Sequence, residues 1–173
     1  MYHQILALEK QIPEFNQRPF DFSDFRYLCD KETIRFYFWS FPPEIKGVYI
    51  NIDFPVIGLN ETLKSPELEI VAFQELGHYY LGHPNSFTIE RDTLLLPKIE
   101  YEAKVFSALC LVPTPILEKE KDNILVNFPL HFRKFRMEIY NAYLRKKVNT
   151  YTPTSPLSLS DSQEQDGNKP SLF

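Results

Sequence analysis

The chain has few cysteines, no long apolar run and no excess of positive charge, and each lack excludes a class of protein. Its 173 residues include two cysteines, Cys29 and Cys110, too few for the disulfide framework of a small secreted protein. No stretch approaches the roughly 18 consecutive apolar residues of a membrane-spanning helix. Glu9, Lys10 and Glu14 interrupt the opening segment, which therefore lacks the apolar region of a signal peptide. We expect a cytoplasmic protein that makes no contact with a membrane.

The charge balance bears on possible partners. The sequence has 19 Lys and Arg against 23 Asp and Glu, a net charge of −4. A protein with this balance has no general attraction to nucleic acid or to anionic membranes. Basic residues are concentrated near the end of the folded part, where we interpret them as a solvated face or a docking patch for an acidic partner. Direct binding of nucleic acid is not expected.

The chain length is sufficient for one hydrophobic core. From residue 149 onward the composition shifts to Ser, Thr and Pro with few hydrophobic residues, which is typical of disorder. We therefore predict one folded domain over residues 1–148 and a disordered tail over 149–173.

The hydrophobic patterns predict helices and a small sheet, which is an α+β order rather than a repeating βαβ one. Two strands joined by a turn are expected in an aromatic stretch, and a third strand is a weaker expectation after residue 85. The predicted segments are a short helix closed by Pro13, strands over 34–41 and 47–54, a helix over 66–82 with Ser65 as N-cap, a strand within 86–96, a helix over 98–111, a short helix after Pro115, and a helix over 129–148.

The helix over 66–82 carries the chemical signal. At about 100° per residue, Gln74, Glu75 and His78 fall on one face, while most other positions of the helix are apolar or aromatic. Polar groups within such a buried helix need partners. The arrangement is typical of a metal hydrolase, in which residues i and i+4 bind the metal and residue i+1 is the general base.

Gln74 departs from the zincin pattern H-E-x-x-H, because it stands where the first His belongs. The amide oxygen of Gln is a neutral and poorer donor to Zn²⁺ than an imidazole nitrogen, so metal affinity should fall unless other ligands compensate. His83 cannot simply replace the missing His, since it lies five residues after His78 and beyond Gly82.

A carboxylate on the helix over 98–111 is the candidate third ligand. Counted around this helix, Glu102 points with the apolar stripe, whereas Glu100 points away from it. A carboxylate on a buried stripe is costly unless it is paired or bound to a cation, and His78 or a metal would satisfy it. The alternative is that Glu102 lies partly exposed at the edge of the stripe or pairs with an Arg.

Three blocks of the sequence resemble the ImmA/IrrE family of metallopeptidases, in the order of that family. They are Gly-Val-Tyr-Ile-Asn-Ile over 47–52, Ile-Val-Ala-Phe-Gln-Glu-Leu-Gly-His-Tyr-Tyr-Leu-Gly-His-Pro over 70–84, and Glu-Tyr-Glu-Ala-Lys-Val-Phe-Ser-Ala-Leu-Cys-Leu-Val-Pro over 100–113. The resemblance covers roughly residues 45–145. It implies a minimal zincin-like domain in which a small sheet packs with an active-site helix and further helices.

Carried over position by position, the resemblance implies that His78 is the second zinc ligand, Glu102 the third and Glu75 the general base. Gln74 occupies the first ligand position without matching it. The activity implied is hydrolysis of a protein substrate, in particular site-specific cleavage of a helix-turn-helix repressor that links a stress signal to transcription.

Two functions from different classes remain open. The first is a zinc peptidase, in which either the amide oxygen of Gln74 is a ligand or Gln74 replaces a natural His. The second is a catalytically impaired pseudo-peptidase that recognises a regulator without cutting it, as a sensor or binding module. Glu75, His78 and Glu102 together favour the first, because a module freed from chemistry needs no buried acid and base. The missing imidazole favours the second.

Overall fold

A three-stranded sheet, a helix packed against it and a second helix packed against the first form the centre of the fold. The computed structural model describes residues 2–84, 95–120 and 123–150. Their elements are α1 (Tyr2–Leu6), a 3₁₀ helix (Ala7–Lys10), α2 (Phe22–Lys31), β1 (Arg35–Trp39), β2 (Gly47–Asn51), β3 (Pro55–Asn60), α3 (Glu67–Tyr80), α4 (Leu95–Leu111), α5 (Thr114–Glu120) and α6 (Leu130–Thr150). The predicted α+β class is confirmed.

The sheet differs from the predicted pair of strands joined by a turn. The strand order is β1-β3-β2, with β3 parallel to β1 and antiparallel to β2. The unpredicted strand β3 therefore separates the two predicted ones, which do not pair with each other. It is also the most buried strand, with Ile57 and Leu59 fully enclosed. Because β2 has only one neighbouring strand, it forms an edge of this sheet.

The helix predicted over 66–82 is confirmed as α3, with Pro66 rather than Ser65 as its N-cap residue. Its end is a Schellman motif, in which Gly82 adopts a φ of 65°. The backbone N–H of His83 donates to the carbonyl of His78 at 2.9 Å, and that of Gly82 donates to Tyr79 at 3.0 Å. This cap turns the chain back, so that His83 lies beside the last turn of α3.

Helices α3 and α4 lie in close contact at Gly77. A Cβ atom at this position would lie 3.0 Å from Cδ1 of Phe106 and 3.2 Å from the carbonyl oxygen of Ala103. The hydroxyl of Ser107 donates to the carbonyl of Ile70 at 2.8 Å and ties the same two helices together. The small residue therefore sets how near the two helices can lie, and with them the side chains that they carry.

Other parts of the chain differ from the sequence-based expectations or lie beyond what is described. Helix α2 was not predicted, although a capping box between Asp21 and Asp24 fixes its start. Arg136, expected on a solvated or docking face, is fully buried, where it donates to the carbonyl of Val112 and to Thr114 Oγ1. Most of the possible strand over 86–96 and the predicted tail beyond 150 lie outside the described residues, and α6 itself includes residues 149 and 150.

Within the described ranges, no helix combines the length and the apolar character that crossing a bilayer requires.

Replacing Gly77 by Leu should lower the free energy of unfolding by about 1–3 kcal/mol, because a side chain there must push α4 away. Urea unfolding followed by circular dichroism measures the change. The matched control is Glu118→Leu at an exposed position of α5, where we expect a change within about 0.5 kcal/mol. Equal midpoints for Gly77→Leu and the wild type would contradict the close contact.

Candidate active site

The three residues predicted on one face of α3 lie together where α3, α4 and β2 meet. Glu75 and His78 are buried, and Gln74 is half-buried. Strand β2 covers this face. A Cβ atom on Gly47 would lie 2.9 Å from Glu75 Oε1, and the ring of Tyr49 stacks on that of His78 at a centroid distance of 6.4 Å. The absence of a side chain at Gly47 thus leaves the space in which the Glu75 carboxylate lies.

Glu100 of α4 reaches the same place. Its Oε2 accepts a hydrogen bond of 3.0 Å from Nε2 of Gln74, and its Oε1 lies 3.4 Å from Nε2 of His78. The helical count that turned Glu100 away from the site therefore differs from the structure. The count was made against the apolar stripe of α4, but α4 is buried on several sides, and the approach of Ala103 to Gly77 decides which side meets α3.

Glu102, predicted as the third ligand, has contacts of a different kind. Its Oε2 lies 3.2 Å from Nε2 of His83, and its Oε1 lies 4.0 Å from Nζ of Lys98. Its side chain is only 13% exposed, in agreement with the apolar stripe. The Nδ1 atoms of His83 and His78 are 3.0 Å apart. Glu102 thus contacts His83 rather than His78, and its role as a ligand stays a prediction.

Burial dominates the electrostatics of the site. It raises the pKa of Glu75 to about 8, and the nearby charge of Glu100 adds to this rise. Burial and the neighbouring ring of His83 lower the pKa of His78 to about 4. Burial also raises the pKa of Glu100, against the opposing effects of Lys104 and Gln74. Without a bound cation, the site therefore disfavours the protonated, positively charged form of His78. It also disfavours the ionised forms of Glu75 and Glu100.

The donor set can be tested for its fit to zinc. Two ligands of a tetrahedral zinc ion, bound at about 2.0–2.1 Å, lie about 3.4 Å apart, which is the separation of His78 Nε2 from Glu100 Oε1. In the described part of the chain, no group of three or more His, Cys, Asp and Glu residues could hold a metal. The side chain next to His78 and Glu100 is that of Gln74, whose Nε2 donates to Glu100. The residues fit a zinc ion with two usual donors and one weak one.

A match to a family model shows the family to which the chain belongs. The peptidase M78 family model, described as the IrrE N-terminal-like domain, matches residues 29–125, which include the three strands and all of α3, α4 and α5. This match supports a metallopeptidase-like function, and the α+β fold is consistent with it. The chain belongs to this family, and the resemblance seen in its sequence is confirmed. Neither the curated proteins nor the solved structures gave a match.

Two residues of the site were not assigned by sequence reasoning. Glu100 could have been found from Ala103, since a small residue three positions later on α4 suits a close approach to Gly77. His83 could have been found from Gly82, because a glycine just past a helix end is the usual signal for a Schellman cap. Both signals concern how the backbone packs or turns, which a helical count omits.

We expect the Glu75→Gln substitution to stabilise the metal-free protein increasingly as the pH rises. The unfolded chain ionises Glu75 near its ordinary pKa of 4.5, whereas the folded protein holds the proton up to about 8. The unfolded state therefore binds fewer protons between these values, and the free energy of unfolding of the wild type falls as the pH rises. Substitution removes this fall, by up to about 1.4 kcal/mol per pH unit.

Urea unfolding of the two proteins in a chelating buffer at several pH values between about 5 and 8 measures this difference. Glu118→Gln, at an exposed position, serves as the control and should show no such trend. A constant difference between Glu75→Gln and the wild type across the range would contradict the buried, protonated state of Glu75.

Proposed function

We propose that this protein is a zinc-dependent peptidase that cuts a regulatory protein at a defined site in the cytoplasm. The observation that carries the proposal is the convergence of His78, Glu100 and the buried Glu75 from two helices onto one place. Family membership supports a metallopeptidase-like function and a protein substrate. The resemblance to the ImmA/IrrE family adds the choice of a helix-turn-helix repressor as that substrate, and with it a role in stress-dependent transcription.

In this proposal His78, Glu100 and Gln74 hold the ion. Glu100 takes the third position in place of Glu102 because its oxygen, rather than that of Glu102, faces His78 Nε2. Bound zinc would polarise the scissile carbonyl and make a bound water more acidic. Gln74 must turn its amide oxygen toward the ion, away from the orientation in which its N–H donates to Glu100.

Glu75 is the general base. Its carboxyl group lies against Gly47 on the side of α3 that faces β2, within a water-poor environment. A general acid or base is most effective when its pKa lies near the working pH, and the pKa of Glu75 is about 8. Glu75 accepts a proton from the attacking water and delivers it to the amine that leaves.

The edge strand β2 is the binding surface for an extended segment of the substrate. In the described sheet it pairs with β3 alone, and a peptide can add to its other side as a further strand. Since Gly47 lies against Glu75 and Tyr49 lies on His78, a peptide paired with β2 passes the candidate catalytic groups. The main-chain pairing accounts for binding, and side-chain pockets account for selectivity.

A cavity beside Gln74 provides such a pocket. It has a volume of about 250 Å³, below the usual range of drug-sized ligand sites but sufficient for a side chain. Most of its wall area is apolar, and Gln74, Lys104, Ser107 and His131 contribute the polar part. The lining residues are Ile70, Gln74, Lys104, Ser107, His131, Phe132 and Phe135.

A second candidate function is a pseudo-peptidase that binds the same regulator without cutting it. The specific observation in its favour is the hydrogen bond from Gln74 to Glu100, which pairs both polar groups without a metal. Here the cleft along β2 recognises the regulator, and a change in that binding transmits the signal. The two candidates differ in whether Gln74 permits a bound ion.

Zinc content and hydrolysis of the wild type and of Gln74→His distinguish the two candidates. The peptidase proposal predicts measurable zinc and cleavage of a repressor-type substrate by the wild type, with zinc affinity at least about tenfold higher in Gln74→His because imidazole is the better donor. Adding Glu75→Gln should then reduce the rate by about 10²- to 10⁴-fold while the zinc remains. A wild type that binds the substrate without zinc or cleavage would instead support the pseudo-peptidase.

The identity of the third ligand is tested in the Gln74→His background. We expect Glu100→Gln to weaken zinc binding by more than about 100-fold, and Glu102→Gln by less than about tenfold, since only the first removes a carboxylate that faces His78. Competition with a chromophoric chelator measures both. The reverse order would return the ligand role to Glu102.

A further inference from the structure

We propose that Glu102 and His83 form a hydrogen-bonded relay that orients the ring of His78 and fixes its tautomer, so that Nε2 presents a lone pair toward Glu100. Both are positioning residues, because neither faces the meeting point of His78 and Glu100. The consequence for zinc affinity rests on the proposed function above. The tautomer itself does not, and it belongs to the metal-free protein.

The direction of the relay follows from the atoms at each contact. A carboxylate can only accept, so Nε2 of His83, 3.2 Å from Glu102 Oε2, carries the proton. A neutral imidazole has one N–H, which leaves Nδ1 of His83 as an acceptor. The Nδ1 atoms of His83 and His78 are 3.0 Å apart, so that one of them must donate, and the donor is His78. Nε2 of His78 is then left without a proton.

The backbone holds this relay in place. The Schellman cap, with Gly82 at a φ of 65°, joins the N–H of His83 to the carbonyl of His78, so both rings are fixed by the same turn. Both side chains are nearly excluded from solvent, at 5% exposure for His83 and 7% for His78. A buried neutral pair with one shared proton is therefore favoured over a buried imidazolium.

The consequence appears on the far side of the His78 ring. Nε2 lies 3.4 Å from Glu100 Oε1, and with no proton on this nitrogen two electron pairs face each other across a gap that suits a cation. Ligand histidines commonly donate their other N–H to a second group, which fixes their orientation and raises their basicity. Here that second group is His83, whose Nε2 in turn donates to the carboxylate of Glu102.

The direct test is nitrogen-15 NMR of the histidine rings in the metal-free wild type. The relay predicts a proton on Nδ1 and a lone pair on Nε2 of His78, with the opposite assignment for His83. In His83→Phe, Nδ1 of His78 loses its acceptor, and the population of this tautomer should fall. A proton on Nε2 of His78 in the wild type, or an unchanged tautomer in His83→Phe, would overturn the relay.

Zinc affinity in the Gln74→His background is the second measurement. Glu102→Leu and His83→Phe should each weaken binding about 10- to 100-fold, whereas Glu102→Gln, which keeps an oxygen that can accept from His83, should retain most of the affinity. The control Lys98→Met removes an exposed neighbour of Glu102 and should change neither the zinc affinity nor the tautomer of His78. If Glu102→Leu matches the control, the relay is wrong.

The two measurements also separate this inference from the proposed function. If Gln74→His binds no zinc while His78 shows the predicted tautomer, the proposed peptidase fails and the relay stands. If zinc binds but the tautomer is the opposite one, the relay fails and the peptidase proposal is unaffected.

Discussion

The contact between α3 and α4 at Gly77 is the constraint on which the rest of the site depends. Because Gly77 has no side chain, Ala103 and Phe106 of α4 approach the backbone of α3. Glu100 lies one turn before Ala103 and is thereby carried to Gln74 and His78. A wider separation of the helices would leave Glu100 without these partners, and the buried ring of His78 would lose the carboxylate beside its Nε2.

The burial of polar groups at this site lowers the free energy of unfolding. Glu75 and His78 lie in a helix whose other faces are apolar, and burial shifts the pKa of each group toward its neutral form. Buried groups of this kind usually reflect function, although ion pairs that serve structure shift pKa values as well. Here the carboxyl groups come from two helices and the imidazoles from one helix and its cap.

The features of the fold that follow from a periodic pattern or from the order of motifs in the sequence could be predicted. The period of α3 and its polar face led to Gln74, Glu75 and His78, and the block order led to the family, which the family model confirms. Strand β3 was missed because the alternating run over 47–54 takes in β2 and the three residues after it, and β3 begins only after that run, at Pro55. Glu100 was missed because a helical count gives the faces of one helix, whereas the neighbour that packs on it decides which face is the site.

The convergence of His78 and Glu100 on one ion is the central claim, and a crystal structure of zinc-loaded Gln74→His, with the metal located by anomalous scattering, tests it most directly. The account predicts zinc bonded to His78 Nε2 and to an oxygen of Glu100 at about 2.0–2.2 Å, with His83 and Glu102 outside the coordination sphere. Zinc bonded to Glu102 in place of Glu100, or bound elsewhere on the chain, would contradict it.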